Sequence, residues 1–103
     1  MTVPELTAEQ RAAALAKAAE ARRIRAEVKS SLKSGELELS EFLRRAESDE
    51  ALGKMKVVTL LGSLPGIGTS TARSLMAEYA IAPTRRVRGL GPHQRSRLTG
   101  RFG

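Results

Sequence analysis

The sharpest local signal in the chain is Leu64-Pro65-Gly66-Ile67-Gly68, followed at once by Thr69 and Ser70. Gly66 and Gly68 have no Cβ, so the backbone there can approach another surface closely. A helix that starts near Thr69, with Thr69 or Ser70 as its cap, aims its free N–H groups at the same spot. Helix N-termini of this kind bind phosphate. The hydroxyls of Ser63, Thr69 and Ser70 add donors, and Ile67 is expected to point inward as an anchor. Lys54 and Lys56 precede the turn, and Arg73 follows it. The chemistry these residue types suit is capture of a phosphate, with no bond made or broken. The bland alternative is a glycine-rich turn that binds nothing, and the cationic flank argues against it.

Two nucleotide loops are excluded by spacing. A P-loop needs a Lys and a hydroxyl residue directly after its last glycine. Here Thr69 follows Gly68. A dinucleotide loop needs a preceding strand and a third glycine, and position 71 is Thr.

A second cluster is Arg85, Arg86 and Arg88, three guanidinium groups within four residues between Pro83 and Gly89. It is expected to be an extended arm that follows or enters a groove. The alternative is a solvated basic loop. Arg95, Arg97 and Arg101 extend that surface less well, because Arg95 and Arg97 diverge on a helix.

Catalysis has little to work with. Cysteine is absent, which removes thiol nucleophiles and thiolate zinc sites. His93 is the one histidine, set after a proline and among arginines. It reads as a surface or phosphate-contacting residue rather than a base. No acid lies between Asp49 and Glu78, so no carboxylate flanks the turn. The acids at 36–50 read as a solvated face, or one paired with basic residues. No enzyme activity, cofactor, metal or small-molecule substrate is expected.

The distribution of charge supports a polyanionic partner. The chain has 103 residues and a net charge of +7. Residues 1–52 hold nine basic and ten acidic side chains, a net of −1, whereas 53–103 hold nine basic ones and only Glu78, a net of +8. A one-signed field over half a small domain repels itself and favours a polyanion that neutralises it. Seven of those nine bases are Arg, which fork onto phosphate oxygens. The aromatics are only Phe42, Tyr79 and Phe102, too few for the stacking platforms of single-strand and RNA modules. A duplex backbone needs no such rings.

Helices must position these groups. Residues 1–6 read as a loose end. Thr7 and Gln10 make a capping box. From Ala8 to about Leu32 the residues Ala14, Ala18, Ala21, Ile24, Val28 and Leu32 share one face, whose first half packs weakly or protrudes. Ser34-Gly35 stops this helix. A second helix runs from Leu39 to Ala46, with Ser40 as cap and Phe42 and Leu43 inward. Ser48-Asp49 starts a third, broken near Gly53. Val57, Val58 and Thr59 find no strand partner elsewhere and read as helix. The helix after the turn carries Ala72, Leu75, Met76 and Tyr79 and ends at Ala82-Pro83-Thr84. Pro92 opens a last helix. The fold class expected is all-α with five or six helices. Residues 1–35 form a helical extension and 36–103 the binding domain. No apolar run spans a membrane and no secretory signal appears, so the sequence reads as cytosolic.

The segment Leu60-Leu61-Gly62-Ser63-Leu64-Pro65-Gly66-Ile67-Gly68-Thr69-Ser70-Thr71-Ala72, with its basic tail, resembles the helix-hairpin-helix and helix-two-turn-helix group. With Gly53-Lys54-Met55-Lys56-Val57 and Arg85-Arg86-Val87-Arg88-Gly89-Leu90-Gly91, the whole chain is similar to the actinobacterial integration host factors, which are S13-like in fold. The resemblance implies a nucleoid-associated protein of the cytoplasm that binds double-stranded DNA with little sequence preference. It implies bending, compaction, an influence on supercoiling, help to phage site-specific recombination and so a phage integrase complex as partner. It places one DNA surface at Lys54, Lys56, Ser63, Leu64, Pro65, Gly66, Gly68, Thr69, Ser70 and Arg73, and a second at Arg85, Arg86 and Arg88. A monomer is expected. Two alternatives stand beside it. One is a ribosomal small-subunit rRNA-binding protein of S13-like fold, although the long N-terminal helix and short C-terminal tail depart from that pattern. The other is a helical module whose 8–32 helix docks on a protein, which leaves the +8 half unexplained.

Overall fold

The computed structural model describes residues 7–103; the reading of 1–6 as a loose end lies outside that span. Six α-helices follow in order: α1 (Ala8–Ser34), α2 (Leu39–Ala46), α3 (Glu50–Gly53), α4 (Val57–Gly62), α5 (Thr69–Glu78) and α6 (Pro92–Phe102). A 3-10 turn at Val87–Gly89 precedes α6.

The caps explain the limits of α1. The Gln10 amide N–H donates to Thr7 Oγ1 at 3.0 Å, and the Thr7 N–H donates to Gln10 Oε1 at 2.9 Å. Gly35 ends the helix at φ +82°, the left-handed conformation that glycine adopts without strain. Between these ends α1 has two unequal halves. Val28 and Leu32 are buried and Ile24 packs against the core, while every residue from Ala8 to Glu20 is exposed. The N-terminal half therefore stands out from the body, as its alanine-rich face predicts.

The core is built from the C-terminal part of α1 and from α2 to α6, with α4 packed on α5, α1 and α2 on α3, and α6 on α2. Leu32, Leu39, Phe42, Leu52, Val57, Leu60, Leu61 and Leu98 are completely enclosed. Asp49 caps α3 by accepting the Ala51 N–H at 3.0 Å, and Pro92 takes the first position of α6, both as the sequence implies.

Three local expectations fail. Ser40 does not cap α2, which begins one residue earlier at Leu39. Its N–H and hydroxyl both donate to the Gly103 oxygen at 2.9 Å, so it pins the end of α6 to the start of α2. Neither Thr69 nor Ser70 caps α5, whose N-cap is Gly68 with no side-chain hydrogen bond. Finally, α5 stops at Glu78, short of Ala82-Pro83. Ala80 takes the left-handed conformation at φ 55°, and the Ile81 N–H reaches back to the Met76 carbonyl at 2.8 Å. This is a Schellman motif with Ala where glycine is usual, sealed by the apolar pair Met76 and Ile81.

Among the described residues there is no named strand, but one backbone pairing does occur. Lys56 and Arg86 form an isolated antiparallel bridge. The Val57 N–H donates to the Arg85 carbonyl at 3.0 Å, and the Val87 N–H to the Met55 carbonyl at 2.9 Å. Val57, Val58 and Thr59 are helical, as expected, and the pairing is centred one residue before them, at Lys56.

Candidate nucleic-acid interface

Five cations meet in one groove of about 320 Å³, lined by Arg25, Lys29, Lys54, Met55, Lys56, Thr59 and Arg86. No acid is among those lining residues. Two devices assemble it. Arg25 and Lys29 sit one position beyond Ile24 and Val28, so α1 carries them beside its buried stripe and over the α3–α4 connection. The Lys56–Arg86 bridge does the rest. It lays Arg86 alongside Lys54, whose carbonyl accepts a hydrogen bond from the Arg86 guanidinium. One guanidinium has five N–H donors, so this bond leaves Arg86 able to take an anion.

Lys56 also lines a second cleft with Val58, Arg73, Met76, Ala77, Ile81 and Pro83. The structure therefore brings Lys54, Lys56, Arg73 and Arg86 onto adjoining surfaces that share Lys56. The sequence reading assigned Arg86 to a separate surface. Its expectation of an extended arm over 85–88 is also not met. Arg85 donates to the Gly89 carbonyl at 2.9 Å, closing a tight loop around the 3-10 turn. Arg88 has its Cβ within 3.5 Å of where a Cβ on Gly53 would lie, so it rests against α3. All three arginines keep exposed side chains.

The turn between α4 and α5 has the shape expected of it. The Leu64 N–H bonds to the Leu61 carbonyl and the Ile67 N–H to the Leu64 carbonyl, each at 3.1 Å. Gly66 adopts φ +74°, which demands glycine, and Ile67 packs against the core. Gly68 is extended at φ −93°, ψ 178°, with open space where a Cβ would go. Its glycine is therefore not required by the fold. The first N–H groups of α5 have no intrahelical acceptor, and no side chain caps them. Pro65, Gly66, Gly68, Thr69 and Ser70 are exposed around them. Ser63 and Leu64 are not. Ser63 is 8% exposed and its hydroxyl donates to the Thr59 carbonyl at 2.7 Å, so the expected extra donor is spent inside the protein. Leu64 is a core residue.

Other charges are committed elsewhere. Arg95 donates to the Leu43 carbonyl at 3.1 Å and to Glu47 at 3.0 Å. Arg101 donates to Glu78 and to the Tyr79 hydroxyl, both at 3.1 Å, while Arg97 lies 4.9 Å from the centre of the Tyr79 ring. These three arginines hold α6 against α2 and α5. Acids of 36–50 do pair with bases, as one of the two expected roles required. Glu50 is the telling case. Its carboxylate lies 2.7 Å from the Lys54 ammonium and 3.9 Å from that of Lys17 on α1. The Lys54 hydrogen bond and the charges of Lys54 and Lys17 hold its carboxyl below the usual carboxylate range.

Arg25 and Lys29 were missed from the sequence. Their only signal was helical phase: a basic pair four residues apart, each one step past a buried apolar residue. Among the described residues, no group of three His, Cys, Asp or Glu side chains converges as a metal site. No helix among them is long and apolar enough to cross a membrane.

Comparison with known proteins gives a consistent picture. The S13-like H2TH domain family matches residues 32–102. The integration host factor of Mycobacterium tuberculosis is 58% identical over 103 residues, covering 100% of this chain and 98% of its own. The integration host factor of Streptomyces coelicolor is 50% identical over 103 residues, covering 100% of this chain and 96% of its own. A solved structure of sIHF bound to an 8bp palindromic DNA superposes with a TM-score of 0.82 at 47% identity, over 84% of this chain and 98% of that one. A turn built on Gly66, a cationic groove and similarity along the whole length agree: the chain belongs to the S13-like H2TH family and, within it, to the integration host factors.

Proposed function

We propose that this protein binds duplex DNA along its phosphodiester backbone, with little sequence preference. The observation that carries this reading is the groove of Arg25, Lys29, Lys54, Lys56 and Arg86, with no acid in its lining. Cations so placed suit a chain of phosphates, whose contacts position a duplex without reading bases. The solved relative described as bound to DNA supports the same ligand. Residues 36–103 form the bulk of the binding domain, and the helical extension before them adds Arg25 and Lys29. Lys54, Lys56, Arg73, Arg86 and Arg88 supply charge. Pro65, Gly66, Gly68, Thr69 and Ser70 bring uncapped backbone N–H groups up to a phosphate, and Ser63 and Leu64 support that turn from within. Arg85 shapes the neighbouring loop.

Lys56 stands on both clefts, so one duplex can be held on both sides of it. Bending, compaction, an effect on supercoiling and help to phage site-specific recombination beside an integrase complex are proposed on the strength of the similarity to the integration host factors. The protein acts as a monomer in the nucleoid of the cytoplasm, by binding and without a catalytic step. The test is affinity against salt on random-sequence DNA, the matching RNA duplex and a ribosomal RNA fragment. With about six to eight phosphate contacts, log K falls against log salt with a slope of about −5 to −7. A flat salt response, or tighter binding to the ribosomal fragment, overturns the reading.

A further inference from the structure

We propose that Glu50 sets the affinity of the DNA surface: in the free protein its carboxylate occupies the Lys54 ammonium that a backbone phosphate takes on binding. The inference rests on the DNA reading above. Its ground is the groove of about 600 Å³ between α1 and α3, whose lining includes Lys17, Arg22, Arg25 and Lys54 and the acids Glu20, Asp49 and Glu50. Two of these acids are committed to their own helices. Glu20 accepts from the Arg23 guanidinium one turn along α1. Asp49 caps α3 through the Ala51 N–H. Glu50 pairs with Lys54 one turn along α3 at 2.7 Å, and it alone also reaches across the groove, toward Lys17 of α1 at 3.9 Å.

Lys54 is also a wall of the acid-free groove with Arg25, Lys29, Lys56 and Arg86. It thus stands between an internal carboxylate and the position of an external phosphate. An oxyanion on a lysine ammonium is what a phosphodiester would supply. Glu50 supplies it in the absence of DNA, with Lys17 as the second cation. Binding exchanges one anion for the other, and the exchange lowers the net gain from Lys54. The lowered carboxyl of Glu50 agrees with cations already gathered around that position.

The experiment measures affinity of the full chain for a random-sequence DNA duplex at fixed moderate salt. Glu50→Gln keeps the shape and removes the competing charge. It is expected to tighten binding by about two- to fivefold, the range spanned by an exposed ion pair. Glu41→Gln changes net charge equally but frees Arg45 on α2, since Glu41 pairs with that residue at 3.4 Å. It is expected to leave affinity within about 1.5-fold, because Glu41 lines none of these clefts and solvent screens its charge. In a Lys54→Ala background, Glu50→Gln is expected to lose its effect, closing a double-mutant cycle. No gain from Glu50→Gln, an equal gain from Glu41→Gln, or a gain that survives Lys54→Ala each overturns the proposal. Failure of the DNA reading looks different: the unaltered protein itself then shows no salt-sensitive binding to the duplex.

Discussion

Lys29→Ala isolates the part of the basic groove that α1 contributes. Lys29 is exposed and lines the groove with Lys54, Lys56 and Arg86. Alanine is an equal or better helix former, so α1 itself is undisturbed. A cation that neutralises one phosphate of a duplex contributes about 0.9 to the slope of log K against log salt. That contribution fixes the size of the loss. At 0.15 M salt, 0.9 times log(1/0.15) predicts binding weaker by about fivefold. At 0.05 M salt the same product predicts a loss of about fifteenfold, with the slope shallower by about 0.9. Fluorescence anisotropy on a labelled random-sequence duplex at four or five salt concentrations measures both quantities. Lys33→Ala is the control. It removes the same charge one turn further along α1, outside the groove lining. If Lys29→Ala and Lys33→Ala weaken binding equally, or if the slope does not move, then α1 contributes only net charge and the groove is not a phosphate path.

Gly68→Ala should fold with a Tm within a few degrees of the parent, because its φ of −93° and the open space at its Cβ tolerate a methyl group. A drop in DNA affinity then measures the close approach of the turn directly, and unchanged affinity removes Gly68 from the interface. Gly66→Ala, at φ +74°, should instead destabilise the fold by about 1–2 kcal/mol in chemical denaturation. Ala80→Gly should do the reverse, raising stability by up to about 1 kcal/mol, since Ala80 holds a left-handed position at φ 55°. Acid should weaken the fold in a definite window. The carboxyls of Glu20 and Glu50 are held below the ordinary value of 4.5, by Arg23 and by Lys54 respectively. Their stabilisation is present above the unfolded value and is lost as pH falls through the lower folded values. Thermal melts should therefore be flat above about pH 5 and decline below it, and Glu20→Gln with Glu50→Gln should flatten the decline; a decline of the same steepness in the double variant refutes the assignment.

The helices were legible because their signals are local. Thr7 with Gln10, Gly35, Asp49 and Pro92 each announce a boundary within one turn of the residue concerned. Errors arose where a backbone oxygen elsewhere claimed a side chain, whether far along the chain or one turn away. Ser40 looked like a cap, but Gly103 takes both of its donors from 63 positions away. Ser63 looked like a ligand donor, but one turn of α4 brings the Thr59 carbonyl beneath its hydroxyl. The interface shows the same division. The turn at Leu64–Gly68 and the lysines before it could be read from glycine, proline and charge. The union of Lys54 with Arg86, 32 positions apart, could not, because a two-residue backbone pairing has no periodicity to betray it. Arg25 and Lys29 escaped for a related reason. Phase along α1 says they flank the buried stripe, but only packing says what lies opposite.

The Lys56–Arg86 bridge also bears on when the binding surface comes into being. It closes a loop that contains all of α4 and α5. Such a closure costs chain entropy that its contacts must offset. Until the loop closes, Arg86 is not held beside Lys54, and the phosphate path lacks one of its five cations. During synthesis the chain emerges from its N-terminus, and α1, with Arg25 and Lys29, is in the open long before Arg86 has been added. A nascent or partly opened chain thus carries the charge of a DNA-binding protein without the arrangement. Tight binding becomes a property of the finished fold, and DNA, by favouring the closed loop, stabilises the step on which its own site depends.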